Sequence, residues 1–140
     1  MSVESLATAK EFLDSKKITY REEEGKIVVD GDIEILKKDL VGGALPNLSD
    51  VELKGSFYCF DNQLTSLAGA PQTVGKDFNC NSNQLTSLEA LRDKQIGGTI
   101  NAADNPLLRA LAKKYKLRGV SLWRLGDEDP GIWRVVDSTE

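Results

Sequence analysis

The phrase Phe57-Tyr58-Cys59-Phe60-Asp61-Asn62-Gln63-Leu64-Thr65-Ser66-Leu67 returns 21 residues later as Phe78-Asn79-Cys80-Asn81-Ser82-Asn83-Gln84-Leu85-Thr86-Ser87-Leu88. A decayed copy follows at Ile100-Asn101-Ala102-Ala103-Asp104-Asn105-Pro106-Leu107, and a fainter one precedes at Ile33-Glu34-Ile35-Leu36, ending at Leu40. Self-similarity at a fixed short period is the mark of stacked architectures. A unit this small cannot bury its apolar face alone, so neighbours must share one core. The expected fold class is an α+β repeat solenoid of short parallel β coils, within one domain of 140 residues. An N-terminal helix-hairpin cap is expected over 1–31, the coils over 32–107, and a C-terminal helix-strand cap over 108–140.

Strand alternation assigns the faces. Phe57 and Cys59 point inward, as do Phe78 and Cys80, Ile33 and Ile35, and Ile100 and Ala102. Ser56, Tyr58 and Phe60 point outward, followed by Asp77, Asn79 and Asn81, with Asp32, Glu34 and Leu36 before them and Thr99, Asn101 and Ala103 after. Asn62, Asn83 and Asn105 fall where the chain leaves the strand, where an inward amide can satisfy turn backbone groups as a ladder. Lys38 takes that place in the first coil, which predicts that this coil has no neighbour needing the ladder. Cys59 and Cys80 hold equivalent inward positions, and rungs about 4.8 Å apart are slightly too far for an unstrained disulfide. Reduced core thiols are expected.

The flanks follow different periods. Val3, Leu6, Ala9, Phe12 and Leu13 predict a helix from Ser2 to about Lys16. Ile18 to Arg21 and Lys26 to Val29 flank a Glu-rich turn ending in Gly25, a hairpin signal. Gly69-Ala70-Pro71 and Val74-Gly75 sit in the return leg of a coil. Leu107, Leu108, Leu111 and Ala112 predict a helix to about Tyr115, and Val120 to Trp123 with Ile132 to Val136 two strands about an Asp-rich turn.

These residues resemble the leucine-rich repeat family, whose strand and turn consensus the Phe/Ile-x-Cys/Ile-x-x-Asn-x-Leu-x-x-Leu pattern matches. The phrase Asn-Gln-Leu-Thr-Ser-Leu is similar to the short repeats of secreted bacterial effectors. The whole unit resembles small repeat proteins of bacteriophage and prophage genomes. The resemblance covers roughly Asp32 to Leu107 and implies a curved solenoid whose concave strand face binds another macromolecule. A second, shorter resemblance runs from Gly119 to Trp133, similar to the last strand of family 18 glycoside hydrolases, where the strand tryptophan floors a sugar site. The remainder of that barrel and its catalytic strand have no counterpart in this sequence.

Composition excludes several chemistries. The sequence contains no histidine, which removes Ser-His-Asp and Cys-His nucleophiles and most catalytic zinc sites. Two cysteines a repeat apart form no metal knuckle, and Gly42-Gly43 and Gly97-Gly98 read as turns rather than phosphate loops. Asp127, Glu128 and Asp129 lack calcium-loop spacing. No cofactor and no metal are therefore expected, and the chain reads as a non-enzyme. A net charge of −4 argues against nucleic-acid binding. From Asn105 to Arg124, however, every charge is positive: Arg109, Lys113, Lys114, Lys116, Arg118 and Arg124. A solvated helix face is the plain reading of that run, and an acidic partner the other. No apolar stretch long enough to span a bilayer and no signal-peptide pattern occur in the sequence, so a cytoplasmic protein without membrane contact is expected.

The expected function is a non-enzymatic protein-protein interaction module, phage-encoded by resemblance, that binds or inhibits a host protein through the outward strand face. Its site residues are Tyr58, Phe60, Asp77, Asn79, Asn81, Asn101 and Glu34, with the two aromatics as anchors. The alternative is a carbohydrate-binding protein using Trp123 and Trp133 in the tail. The sequence leaves monomer and homodimer open.

Overall fold

The computed structural model of the chain describes residues 3–86, 89–91, 94–102, 104–106, 121–124 and 133–136. Helix α1 (Val3–Ser15) is followed by the hairpin β1 (Arg21–Glu23) and β2 (Lys26–Val29). Seven short strands come next: β3 (Ile33–Glu34), β4 (Val51–Leu53), β5 (Phe57–Tyr58), β6 (Thr73–Val74), β7 (Phe78–Asn79), β8 (Gln95–Ile96) and β9 (Ile100–Asn101). The strands β10 (Ser121–Arg124) and β11 (Trp133–Val136) complete the described elements.

The result is a parallel-strand β-solenoid. One sheet has the order β1-β2-β4-β6-β8 and the other β11-β10-β9-β7-β5-β3. Each coil gives one strand to each sheet, turns a corner, and climbs one rung. The return leg that held only reversal signals in the sequence is thus a second parallel sheet, with β2, β4, β6 and β8 in register. Two-residue strands are too short to display an alternating pattern, which is why β6 and β8 were illegible. Strand β2 is both the second leg of the expected hairpin and the first rung of this sheet.

The core lies between the sheets. Val29, Leu53, Val74 and Ile96 line one side, and Ile33, Phe57, Phe78 and Ile100 the other, all buried. The Phe57 and Phe78 rings pack with centroids 5.2 Å apart, tilted by 49°. Ile35, Cys59, Cys80 and Ala102 form the next buried row, and both thiols are free. Leu64, Leu67, Leu85 and Leu91 fill the loop side. Lys94 is buried there too, its Nζ donating to the Ala70 carbonyl at 2.9 Å, and burial pulls its ammonium below the ordinary value.

Two hydrogen-bond ladders tie the coils together. Asn83 Oδ1 accepts from the Asn62 amide at 2.9 Å and the Leu64 amide at 3.0 Å. Its Nδ2 donates to the carbonyls of Cys59, Cys80 and Asn81. Asn105 repeats this against the Leu85 amide and the Cys80 and Ala102 carbonyls, and Asn62 reaches back to Ile35. All three side chains are buried, as a structural amide ladder requires. The residue before each ladder Asn is left-handed: Asp61 at φ 55°, Ser82 at 56° and Asp104 at 56°.

The second ladder sits at the corner between sheets and runs the other way. Asp32 Oδ1 accepts from the Ser56 amide, Ser56 Oγ from the Asp77 amide, and Asp77 Oδ1 from the Thr99 amide. Ser56, expected to face outward, is instead buried in this ladder. Backbones touch at the corner. A Cβ on Gly75 would lie 2.3 Å from the Lys54 carbonyl oxygen, so only glycine fits.

The ends are closed differently. At the start, Ala9, Phe12 and Leu13 of α1 pack on the first coil. The hairpin turns through Glu24 and Gly25, both at positive φ, so Glu22 and Glu23 lie in or beside β1 and only Glu24 is turn tip. Ile18, expected in the first strand, instead packs against the core as the chain leaves α1. At the other end β10 and β11 fall close to the two expected strands and pair antiparallel with each other, and β10 also pairs antiparallel with β9, a contact the sequence did not indicate. The helix expected over 107–115 lies outside the described residues. Among those residues no helix is long and apolar enough to cross a membrane.

These contacts set two expectations. Gly75→Ala should lower stability by about 1–3 kcal/mol through overpacking. Asn83→Ala, which orphans several buried backbone groups, should cost about 3 kcal/mol or more, both read from urea denaturation midpoints. A pH dependence follows from the thiols. Burial pushes Cys80 up to about 12 from its ordinary 9.0 and raises Cys59 well above the same value. Their stabilisation is complete below about pH 9 and is lost as pH rises from there through the folded values. Lys94, lowered in the fold, opposes this with one proton against two. Denaturation midpoints between pH 8 and 11 should fall for the wild type and should stop falling, or rise, in Cys59→Ala/Cys80→Ala, where Lys94 is left unopposed.

Candidate functional site

The parallel register of the sheet formed by β3, β5, β7 and β9 converts sequence spacing into a surface. Glu34 pairs with Tyr58, Tyr58 with Asn79, and Asn79 with Asn101, so four of the expected site residues form one row across the rungs. Continuing that register by two residues places Leu36, Phe60 and Asn81 in the row beside it. Leu36 is extended, at φ −103° and ψ 163°, and so prolongs the strand geometry past β3.

Apolar side chains are concentrated at the first two coils of this face. Phe60 is 40% exposed and Leu36 is 41% exposed, while Tyr58 is half-buried. The Tyr58 and Phe60 rings meet edge to face, with centroids 6.5 Å apart and an interplanar angle of 81°. This geometry suits the ring quadrupoles and orders both side chains before any partner arrives. The sheet backbone beneath is held by the Ile35, Cys59 and Asp61 amides, each donating to the next coil.

Beyond the aromatics the face becomes amide-rich. Asn79 Oδ1 accepts from the Asn81 amide at 3.1 Å. Among the described residues Asn81 Oδ1 is buried without a hydrogen-bond partner, and desolvating such a group costs about 1–3 kcal/mol. Asn101 is exposed at the last described rung. Asp77 is exposed as well, but it stands in the corner row with Oδ1 committed to the Thr99 amide and hydroxyl. It borders the Tyr58 row rather than belonging to it.

At the other margin, where the first coil meets α1, the surface is basic. Lys16 Nζ bonds Asp39 Oδ2 at 2.6 Å and the Glu34 carbonyl at 2.9 Å, and lies 5.6 Å from the Phe12 ring centroid. Burial would raise the Asp39 carboxyl, but the Lys16 hydrogen bond, the Leu36 amide and the neighbouring lysines outweigh it and hold the group below its usual value. Although Lys38 stands where later coils have Asn, the ladder still reaches this coil, since Asn62 Nδ2 donates to the Ile35 carbonyl. The sequence reading missed the lysines because Lys16-Lys17 and Lys37-Lys38 are distant in the chain and meet only in the fold.

The tail places Trp123 opposite Arg134 and Trp133 opposite Arg124, leaving the two tryptophans one position out of register. Among the described residues no group of three or more His, Cys, Asp or Glu side chains could hold a metal ion. No family model, no curated protein and no solved structure matches this chain.

Tyr58→Ala/Phe60→Ala should retain cooperative unfolding and cost only about 1–2 kcal/mol, since both rings lie on the outer face. Thermal denaturation followed by circular dichroism checks this and qualifies the double variant as a binding probe.

Proposed function

We propose that this chain is a non-catalytic protein-interaction module that binds a protein partner through the outer face of the sheet formed by β3, β5, β7 and β9. The single observation that carries the reading is the edge-to-face pair of half-buried Tyr58 and exposed Phe60 on a regular strand surface. Tyrosine and other aromatics are enriched where interfaces concentrate binding energy, and rigid placement reduces the ordering loss on association. Leu36 extends the apolar strip, and Glu34, Asn79, Asn81 and Asn101 supply a polar rim. The strand-Asn-Leu spacing supports kinship with leucine-rich repeats. The repeat phrase's resemblance to bacteriophage proteins makes a bacterial host protein the partner class to test first, and inhibition the activity to look for.

The test is an affinity pull-down from bacterial lysate with wild type and Tyr58→Ala/Phe60→Ala side by side. A protein retained by wild type and lost by the folded double variant is the expected result. Equal retention by both would move the contact away from this face, and retention by neither would count against an interaction module.

A further inference from the structure

The lysines at the end of α1 form a defined feature. An open notch of about 510 Å³ is lined by Ser15, Lys16, Lys17, Leu36, Lys38 and Asp39. It holds three lysines against one carboxylate, and that carboxylate is already paired with Lys16. Lys17 and Lys38 have no ion pair among the described residues. Such an excess of positive charge is local, because the whole chain carries a net charge of −4.

The conformation of Lys17 adds a second observation. The Lys17 amide donates to the Asp14 carbonyl and the Ile18 amide to the Leu13 carbonyl, the paired bonds of a Schellman helix end. Lys17 therefore holds the left-handed position, at φ 58°, which glycine occupies most readily. A lysine here is less stable than a glycine by about 1 kcal/mol in backbone terms, and its ammonium lines the notch. The notch is also continuous with the aromatic strip. Leu36 lines it and stands one rung from Phe60 in the same row. Two further carboxylates lie near this margin along the chain and the register, Glu34 on the Tyr58 row and Asp61 next to Phe60. Neither lines the notch.

We propose that the partner engages this face with an acidic, apolar segment: its aliphatic or aromatic side chains cover Leu36, Tyr58 and Phe60, and its carboxylates enter the lysine notch beside α1. This inference rests on the strand-face reading and adds the partner's chemistry. Opposite charge at the margin steers approach and fixes register, while the apolar strip supplies most of the affinity.

A random linear-peptide display library selected on the immobilised full chain tests it. Wild type should enrich peptides with Asp and Glu in excess over the input, next to aromatic or aliphatic residues. Lys17→Gln/Lys38→Gln should lose the acidic excess and keep the apolar preference. The best synthetic acidic peptide should bind that variant about three- to tenfold more weakly, and bind wild type more weakly at high salt. Lys17→Gly should bind it more weakly while unfolding no earlier than wild type, which separates charge from folding. An apolar pool with no acidic excess, or an excess unchanged on the Gln variant, overturns the acidic-partner inference and leaves the strand-face reading standing. A pool that Tyr58→Ala/Phe60→Ala does not alter overturns both, as does the absence of any enrichment.

Discussion

Buried amides decide whether these coils can stack. A turn that leaves a β-strand exposes backbone N–H and C=O groups that neither sheet can satisfy, and burying them bare is costly. Asn62, Asn83 and Asn105 answer that need from within, each closing its own turn and reaching back to the coil before it. The corner ladder of Asp32, Ser56, Asp77 and Thr99 does the same on the opposite side, in the opposite direction. Strands of only two residues can then persist, because the turns, more than the strands, hold one coil to the next.

That division explains what was legible in the sequence. Wherever a side chain recurs at the repeat period with a fixed job, its role could be read: Phe57 and Phe78 in the core, Cys59 and Cys80 as small buried thiols, Asn62 and Asn83 as ladder amides. Tyr58 and Phe60 were legible as outward residues by simple alternation. The second sheet was not, since Thr73-Val74 and Gln95-Ile96 each offer a single apolar side chain and no alternation to count. Ser56 was misplaced because the corner turns the chain before alternation begins. The lysine margin has no sequence signal at all; it exists only because α1 docks where the first coil ends.

Regularity and departure from it have separate roles in this chain. The regular part is a rigid base: two parallel sheets, a buried apolar core, and glycine corners where backbones touch. Several departures lie on or beside the strand face. Lys17 takes a backbone conformation better suited to glycine, Asn81 buries an oxygen without a donor, and Phe60 and Leu36 remain in solvent. Local choices that disfavour stability are most easily understood where another requirement competes with it.

Because each interior coil hands the same bonds to the next, the coils are equivalent by translation. A tandem duplication of one 21-residue unit would insert a rung of about 4.8 Å and leave both ends untouched. The near-verbatim return of Asn-Gln-Leu-Thr-Ser-Leu is the trace such an event leaves before drift erases it. Evolution can therefore widen or narrow this protein's footprint in whole steps, while the aromatic strip and the lysine margin keep their positions beside the first helix.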